Sequence, residues 1–172
     1  EENSAFAACY TTGTTGKPKG VIYSHRSICL HASALNQGVG LGADDCVMLI
    51  TPMFHACGWG LPQGAVLTAS KILLPGRYRA EDTGALVEAM VAEKVTVANG
   101  APVIFNPMLD YIRTMDEHPD FQGARFLSGA TEPSLTLMRG LHELTGAEVV
   151  HAYGATETSP LVALNRFKPS VR

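Results

Sequence analysis

The chain has 172 residues, 46% hydrophobic and 17% charged, with a net charge of −3. That length suits one ordinary domain, and the absence of a long basic run argues against nucleic acid or an acidic membrane surface as the main partner. No signal peptide or apolar run of membrane length is seen, and Cys9, Cys29, Cys46 and Cys57 have neither metal nor redox spacing, so buried free thiols and a cytoplasmic location are expected.

In chain order, residues 5–10 and 20–24 read as strands. The connecting loop predicts an antiparallel hairpin. Ser24 is placed to cap a helix to about residue 37, with Ile28, Ala32 and Leu35 on one face and Gly38 and Gly40 ending it. Residues 46–50 read as a buried strand ended by Pro52, 59–68 as a helix despite Pro62, and 71–75 as a short strand. A helix is expected over 80–93, with Leu86, Val87, Met90 and Val91 as its stripe, then a strand at 96–98. Residues 103–114 are helical, with Phe105, Met108, Leu109 and Ile112 facing the core. Residues 125–128 form a strand, Pro133 opens a helix reaching Gly146, and 148–151 form the last strand. Strands separated by amphipathic helices imply an α/β fold with a mostly parallel sheet and right-handed crossovers. Ligands then gather beyond the carboxyl ends of the strands, where Gly129-Ala130 and Tyr153-Gly154 both fall.

The hairpin loop is the richest segment: Tyr10-Thr11-Thr12-Gly13-Thr14-Thr15-Gly16-Lys17-Pro18-Lys19-Gly20. Glycine lets backbone N–H groups approach an anion, threonine hydroxyls add donors, and lysine adds charge. Together they suit a polyphosphate. It is not a Walker A loop, because Gly13 and Gly16 are separated by two residues and Pro18 follows Lys17. The plain alternative is a polar hairpin loop.

This string resembles the phosphate loop of the adenylate-forming superfamily, which holds acyl-CoA synthetases, luciferases and peptide-synthetase adenylation domains. Further matches follow in family order: Pro52-Met53-Phe54-His55, Ser128-Gly129-Ala130, and Tyr153-Gly154-Ala155-Thr156-Glu157. The stretch 151–160 and Ser24-His25-Arg26 look most like fatty-acyl-CoA and methylthiopropionyl-CoA ligases.

The resemblance implies part of the large N-terminal domain of such an enzyme, with ATP, Mg2+ and CoA as reactants and cofactor. Residues 1–40 would belong to one lobe and 41–172 to a second. Thr11, Thr12, Gly13, Thr14, Thr15 and Gly16, helped by Lys19, would hold the β- and γ-phosphates. Glu157 would bind magnesium and Thr156 would donate to the α-phosphate. Tyr153, with Gly154 behind it, would stack on adenine, with Gly129, Ala130 and Thr131 on the other side. His151 stands where relatives carry Asn or Gln against adenine, and His55 would lie near the reacting carboxylate. Each role has a duller competitor. Glu157 could open a short helix, Tyr153 could be core, and His55 beside Phe54 and Trp59 could be a hydrogen-bonded core histidine. His25, His31, His118 and His142 read as surface or packing residues.

The segments after His55 and around Asn99-Gly100-Ala101-Pro102 are small or apolar and contain no acidic residue, which favours a fatty or thioether carboxylate over an amino acid. The expected activity is an ATP-dependent acyl-CoA ligase forming AMP. The alternatives are an adenylation domain loading a carrier protein and a noncatalytic nucleotide-binding module. The family's ribose aspartate, hinge arginine and mobile-domain lysine have no counterpart here, nor does its N-terminal portion. The chain alone is therefore expected to be inactive and prone to self-association, without nucleic-acid or integral membrane contact.

Overall fold

Six of the eight strands observed join into one sheet; the other two form the hairpin that opens the chain. This architecture comes from a computed structural model that describes residues 1–12, 16–79 and 82–166, apart from the side chain of Cys57. Strands β1 (Ala5–Thr11) and β2 (Lys19–Ser24) pair antiparallel, with Cys9 opposite Val21 and Thr11 opposite Lys19. The Ser24 hydroxyl accepts from the N–H of Ser27 at 3.1 Å and caps α1 (His25–Val39). The helix runs through Gly38 and stops one turn-closing residue later than expected, at Gly40, which adopts φ 71°.

The six-stranded sheet has the order β4 (Lys71–Leu73), β3 (Cys46–Leu49), β5 (Val97–Gly100), β6 (Arg125–Ser128), β7 (Glu148–Gly154), β8 (Leu161–Asn165). The first five are parallel and β8 runs antiparallel to β7. Strand β7 is therefore not the last, as the sequence had suggested. Leu161–Asn165 carries no clear alternation, and its pairing is dictated by the tight turn before it rather than by its own pattern.

Helices α1 and α2 (Leu61–Thr68) cover one face of the sheet. Helices α3 (Gly84–Ala92), α4 (Pro102–Arg113) and α5 (Leu135–Thr145) cover the other. A 3-10 turn, Ala56–Gly58, precedes α2, so the helix starts later than residue 59. Pro62 sits in its first turn, where a missing N–H breaks no helical bond. Ser134, not Pro133, caps α5 by accepting from the N–H of Leu137.

The period-two alternation of strands feeds both cores. Val47, Leu49, Val97, Leu127 and Val150 pack with Leu35, Val39 and Leu61 on the α1–α2 side. Met48, Ala98, Phe126 and Val149 pack with Leu86, Phe105 and Leu137 on the opposite side. Each fully buried aliphatic or aromatic side chain contributes about 1.5–3 kcal/mol. Below the amino ends of the strands, Arg125 pairs with Asp45 and donates to the carbonyls of Val39 (3.0 Å) and Gly40 (2.7 Å), holding the end of α1. Cys9 and Cys46 are buried free thiols as expected, whereas Cys29 is exposed because it lies outside the Ile28–Ala32–Leu35 stripe of α1.

Candidate active site

Four neighbouring strands, β3, β5, β6 and β7, end on the same edge of the sheet. The segments at these ends are the loop to His55, Asn99-Gly100, Gly129-Ala130 and Gly154-Ala155-Thr156. All four border one cavity of about 320 Å3. The parallel order thus converts motifs spread over a hundred residues of sequence into one cleft. Of the expected site residues, His55, Gly129, Ala130, Gly154 and Thr156 line it. Behind them the wall is apolar: Leu35 and Leu61 from the helices, Leu127 from β6, and Ala56 and Trp59 from the His55 loop.

The His55 loop is held by its own backbone. The N–H of His55 donates to the Pro52 carbonyl (3.0 Å), and the indole N–H of Trp59 donates to the Met53 carbonyl (2.8 Å). From β5, the buried Asn99 side-chain oxygen accepts from the N–H of Ile50 at 3.1 Å, fixing where β3 hands over to this loop. His55 itself is exposed, not core.

The turn between β7 and β8 carries Thr156 and Glu157. The N–H of Ala155 donates to the Pro160 carbonyl at 3.0 Å, and the Thr158 hydroxyl donates to the Ala155 carbonyl at 2.8 Å. Gly154 is demanded by contact: a Cβ there would stand 2.2 Å from the Pro160 oxygen. Glu157 is exposed on a 3-10 turn, Thr156–Thr158. Tyr153 is 64% exposed and is not core. Tyr153 and Gly154 end β7 rather than following it, and His151 is a half-buried residue of that strand, opposite Asn165. Ala130 adopts a left-handed φ of 67°, turning the chain sharply after β6, and Thr131 is exposed beside it.

At the hairpin, the buried Thr11 hydroxyl has no hydrogen-bond partner among the described residues, a donor left over at the base of the loop. Thr12 and Gly16 are exposed, and Lys19 is exposed across from Thr11. Gly13, Thr14 and Thr15 lie outside the described residues. The hairpin docks on both cleft loops. The Cys9 thiol donates to the Phe54 carbonyl (3.5 Å), and the Tyr23 hydroxyl donates to the Thr156 carbonyl (2.5 Å). Burial, aided by the nearby Cys9 and Glu157, pushes the Tyr23 phenol up to about 12. It stays protonated and donating at neutral pH.

Two residues of this neighbourhood went unnoticed in the sequence. Tyr23 reads there as an ordinary strand aromatic. His31 is a packing residue, as expected, three residues after Ile28 and four before Leu35 on the apolar stripe of α1; what the sequence does not show is its place at the cavity. It is 8% exposed and borders the cavity. Its Nε2 accepts from the N–H of Leu161 at 3.2 Å, and its ring fills the space where a Cβ on Gly60 (φ 86°) would lie. Burial holds its pKa below the ordinary histidine value.

No helix among the described residues is long and apolar enough to cross a membrane, and none of their His, Cys, Asp and Glu side chains cluster as a ready-made metal cage. A single open carboxylate such as Glu157 still fits magnesium, which takes one or two carboxylates and fills its other positions with water and substrate phosphates.

Known proteins carry the same architecture. A long-chain-fatty-acid-CoA ligase from Archaeoglobus fulgidus superposes with a TM-score of 0.79 at 25% identity, over 92% of this chain and 33% of its own. In sequence, the chain is 36% identical to a medium-chain-fatty-acid–CoA ligase of Ectopseudomonas oleovorans and 39% identical to a long-chain-fatty-acid–CoA ligase of Thermus thermophilus. It is 38% identical to a 3-methylmercaptopropionyl-CoA ligase of Ruegeria lacuscaerulensis. Those alignments cover 96–97% of this chain but 30% of each relative, so the chain spans under a third of their length. The family described as AMP-binding enzyme matches residues 1–172 throughout. With the hairpin, the cleft at the strand ends and this match over its whole length, the chain belongs to the AMP-binding enzyme family.

Proposed function

We propose that the intact protein activates a fatty or related apolar carboxylate with ATP and transfers the acyl group to CoA. The observation that carries this reading is the single cavity lined by His55, Gly129-Ala130 and Thr156 together with the apolar Leu35, Leu61 and Leu127. A few polar groups among apolar side chains suit a carboxylate with an alkyl or thioether chain. Among the described residues no Asp or Glu lines that cavity, so a substrate ammonium group would be left without a counter-charge.

In the first step a carboxylate oxygen attacks the α-phosphorus of ATP. A mixed anhydride bond forms, the α–β phosphoanhydride bond breaks, and pyrophosphate leaves with the bonding pair. The residues' task is to screen phosphate charge and align the attacking oxygen. Thr11, Thr12, Gly16 and Lys19, with Gly13, Thr14 and Thr15, would hold the β- and γ-phosphates. Thr156 would donate to the α-phosphate, Tyr153 and the Gly129-Ala130 backbone would sandwich adenine near Thr131 and His151, and His55 would orient the carboxylate. Glu157 would hold magnesium, which supplies charge neutralisation for the triphosphate when bound. In the second step the CoA thiol attacks the acyl carbon, loses its proton, and expels AMP.

The test is carboxylate-dependent pyrophosphate exchange by the intact protein over a panel of fatty acids, thioether acids, aryl acids and amino acids. Exchange led by apolar aliphatic acids, followed by thioester formation with CoA, is the expected result. Exchange led by amino acids would replace this reading with carrier-protein loading. No exchange with any acid would leave a noncatalytic nucleotide module.

A further inference from the structure

Three separate segments of the cleft meet at one side chain. Tyr23 is 2% exposed and packs with Cys9, Ile28 and Ala56. Its ring meets the Trp59 indole edge-on at 5.0 Å. Cys9 belongs to the hairpin, Ala56 and Trp59 to the His55 loop, and the Tyr23 hydroxyl reaches the Thr156 carbonyl of the third segment. Phenylalanine would serve that apolar cluster as well as tyrosine. The hydroxyl therefore serves the Thr156 carbonyl specifically, next to the peptide that leads into Glu157.

We propose that Tyr23 is a positioning residue, which fixes the Thr156–Glu157 turn against the phosphate-loop hairpin so that both grip one triphosphate. The proposal rests on the adenylation reading above. The turn is suited to being set from one point. Its internal bonds, Ala155 to Pro160 and Thr158 to Ala155, make it move as a unit, and His31 pins its far side through Leu161. A hydroxyl bound to the Thr156 carbonyl thus sets the height of the Glu157 carboxylate relative to Thr11 and Lys19 on the hairpin. Displacements of about 1 Å at reacting groups cost up to about a hundredfold in rate.

The experiment compares Tyr23→Phe, Glu157→Gln and the double variant of the intact protein. Pyrophosphate exchange is measured against ATP and against carboxylate, ATP binding by calorimetry with and without magnesium, and stability by thermal unfolding. Tyr23→Phe is expected to lower exchange about tenfold. It should weaken ATP binding with magnesium more than without it, and leave the carboxylate KM within about twofold. Because Tyr23 acts through the turn, its effect should nearly vanish on the Glu157→Gln background. Unchanged ATP binding and exchange would overturn the proposal, as would losses of the same factor on both backgrounds, which would mark Tyr23 as a packing residue. A parent protein without carboxylate-dependent exchange would instead overturn the adenylation reading, and the proposal with it.

Discussion

Gly154→Ala tests how tightly the turn between β7 and β8 is built. The new methyl would sit 2.2 Å from the Pro160 carbonyl oxygen, 2.9 Å from its carbon and 3.0 Å from the Leu161 Cα. All three are backbone atoms, so no side chain can swing aside. Reaching ordinary contact distance requires the Pro160 peptide to retreat by about 1 Å. That peptide accepts from Ala155 and from the Thr158 hydroxyl, so the retreat moves the turn bearing Thr156 and Glu157. Overpacking of this kind costs about 1–3 kcal/mol in stability. Misplacing the turn by a similar distance should cost ten- to a hundredfold, as an order of magnitude, in the adenylation rate. Pyrophosphate exchange and thermal unfolding of the intact protein measure the two effects separately. An alanine variant with parental exchange and parental melting would refute the reasoning, because it would mean that the turn carries slack.

Other substitutions probe the remaining walls of the cleft. Glu157→Gln keeps the side chain's size and removes its charge; adenylation should fall at least about tenfold, or about 1.4 kcal/mol of barrier, with folding intact. Parental exchange throughout a magnesium titration would exclude it as the ligand. His55→Ala should raise the KM for carboxylate while ATP affinity stays near the parent value, since His55 follows β3 and not the nucleotide turns; an equal fall in ATP affinity and melting temperature would assign it to the core. His31 has a folded pKa below its unfolded value, so the folded state binds fewer protons. The stability it contributes is present above about pH 6.5 and is lost as the pH falls through its unfolded and then its folded pKa. His31→Gln, which keeps an acceptor for Leu161, should flatten the fall in melting temperature below about pH 6.5, and an unchanged slope would show that other groups dominate.

The parallel part of the fold was legible because each strand is short, apolar and separated by a striped helix. Phe105, Met108, Leu109 and Ile112 announce α4, and all four are buried. Strand β8 escaped because an edge strand needs little pattern of its own once a turn sets its register. The cleft segments were legible through their resemblance to family motifs and their places at the ends of strands, where Ala130 turns left-handed and Gly154 touches the Pro160 backbone. Tyr23 and His31 were not, because their importance lies in contacts spanning 133 and 130 residues. Nothing in a local window distinguishes a buried tyrosine with a meaningful hydroxyl from one that merely packs.

Helix α1 joins two distant parts of this molecule. Its first residue follows the hairpin, and its last carbonyls receive Arg125 from β6 and Arg166 beyond β8, the latter at 2.7 Å from Val39. Fifteen residues make a rod about 22 Å long. The two guanidinium groups at its foot clamp one end of a rod whose other end joins the hairpin, itself held at Phe54 and Thr156. Their positive charge also suits the negative end of the helix dipole. Loosening that clamp would load the two hydrogen bonds by which the hairpin holds the cleft loops, so a change at the bottom of the sheet would be transmitted to its top.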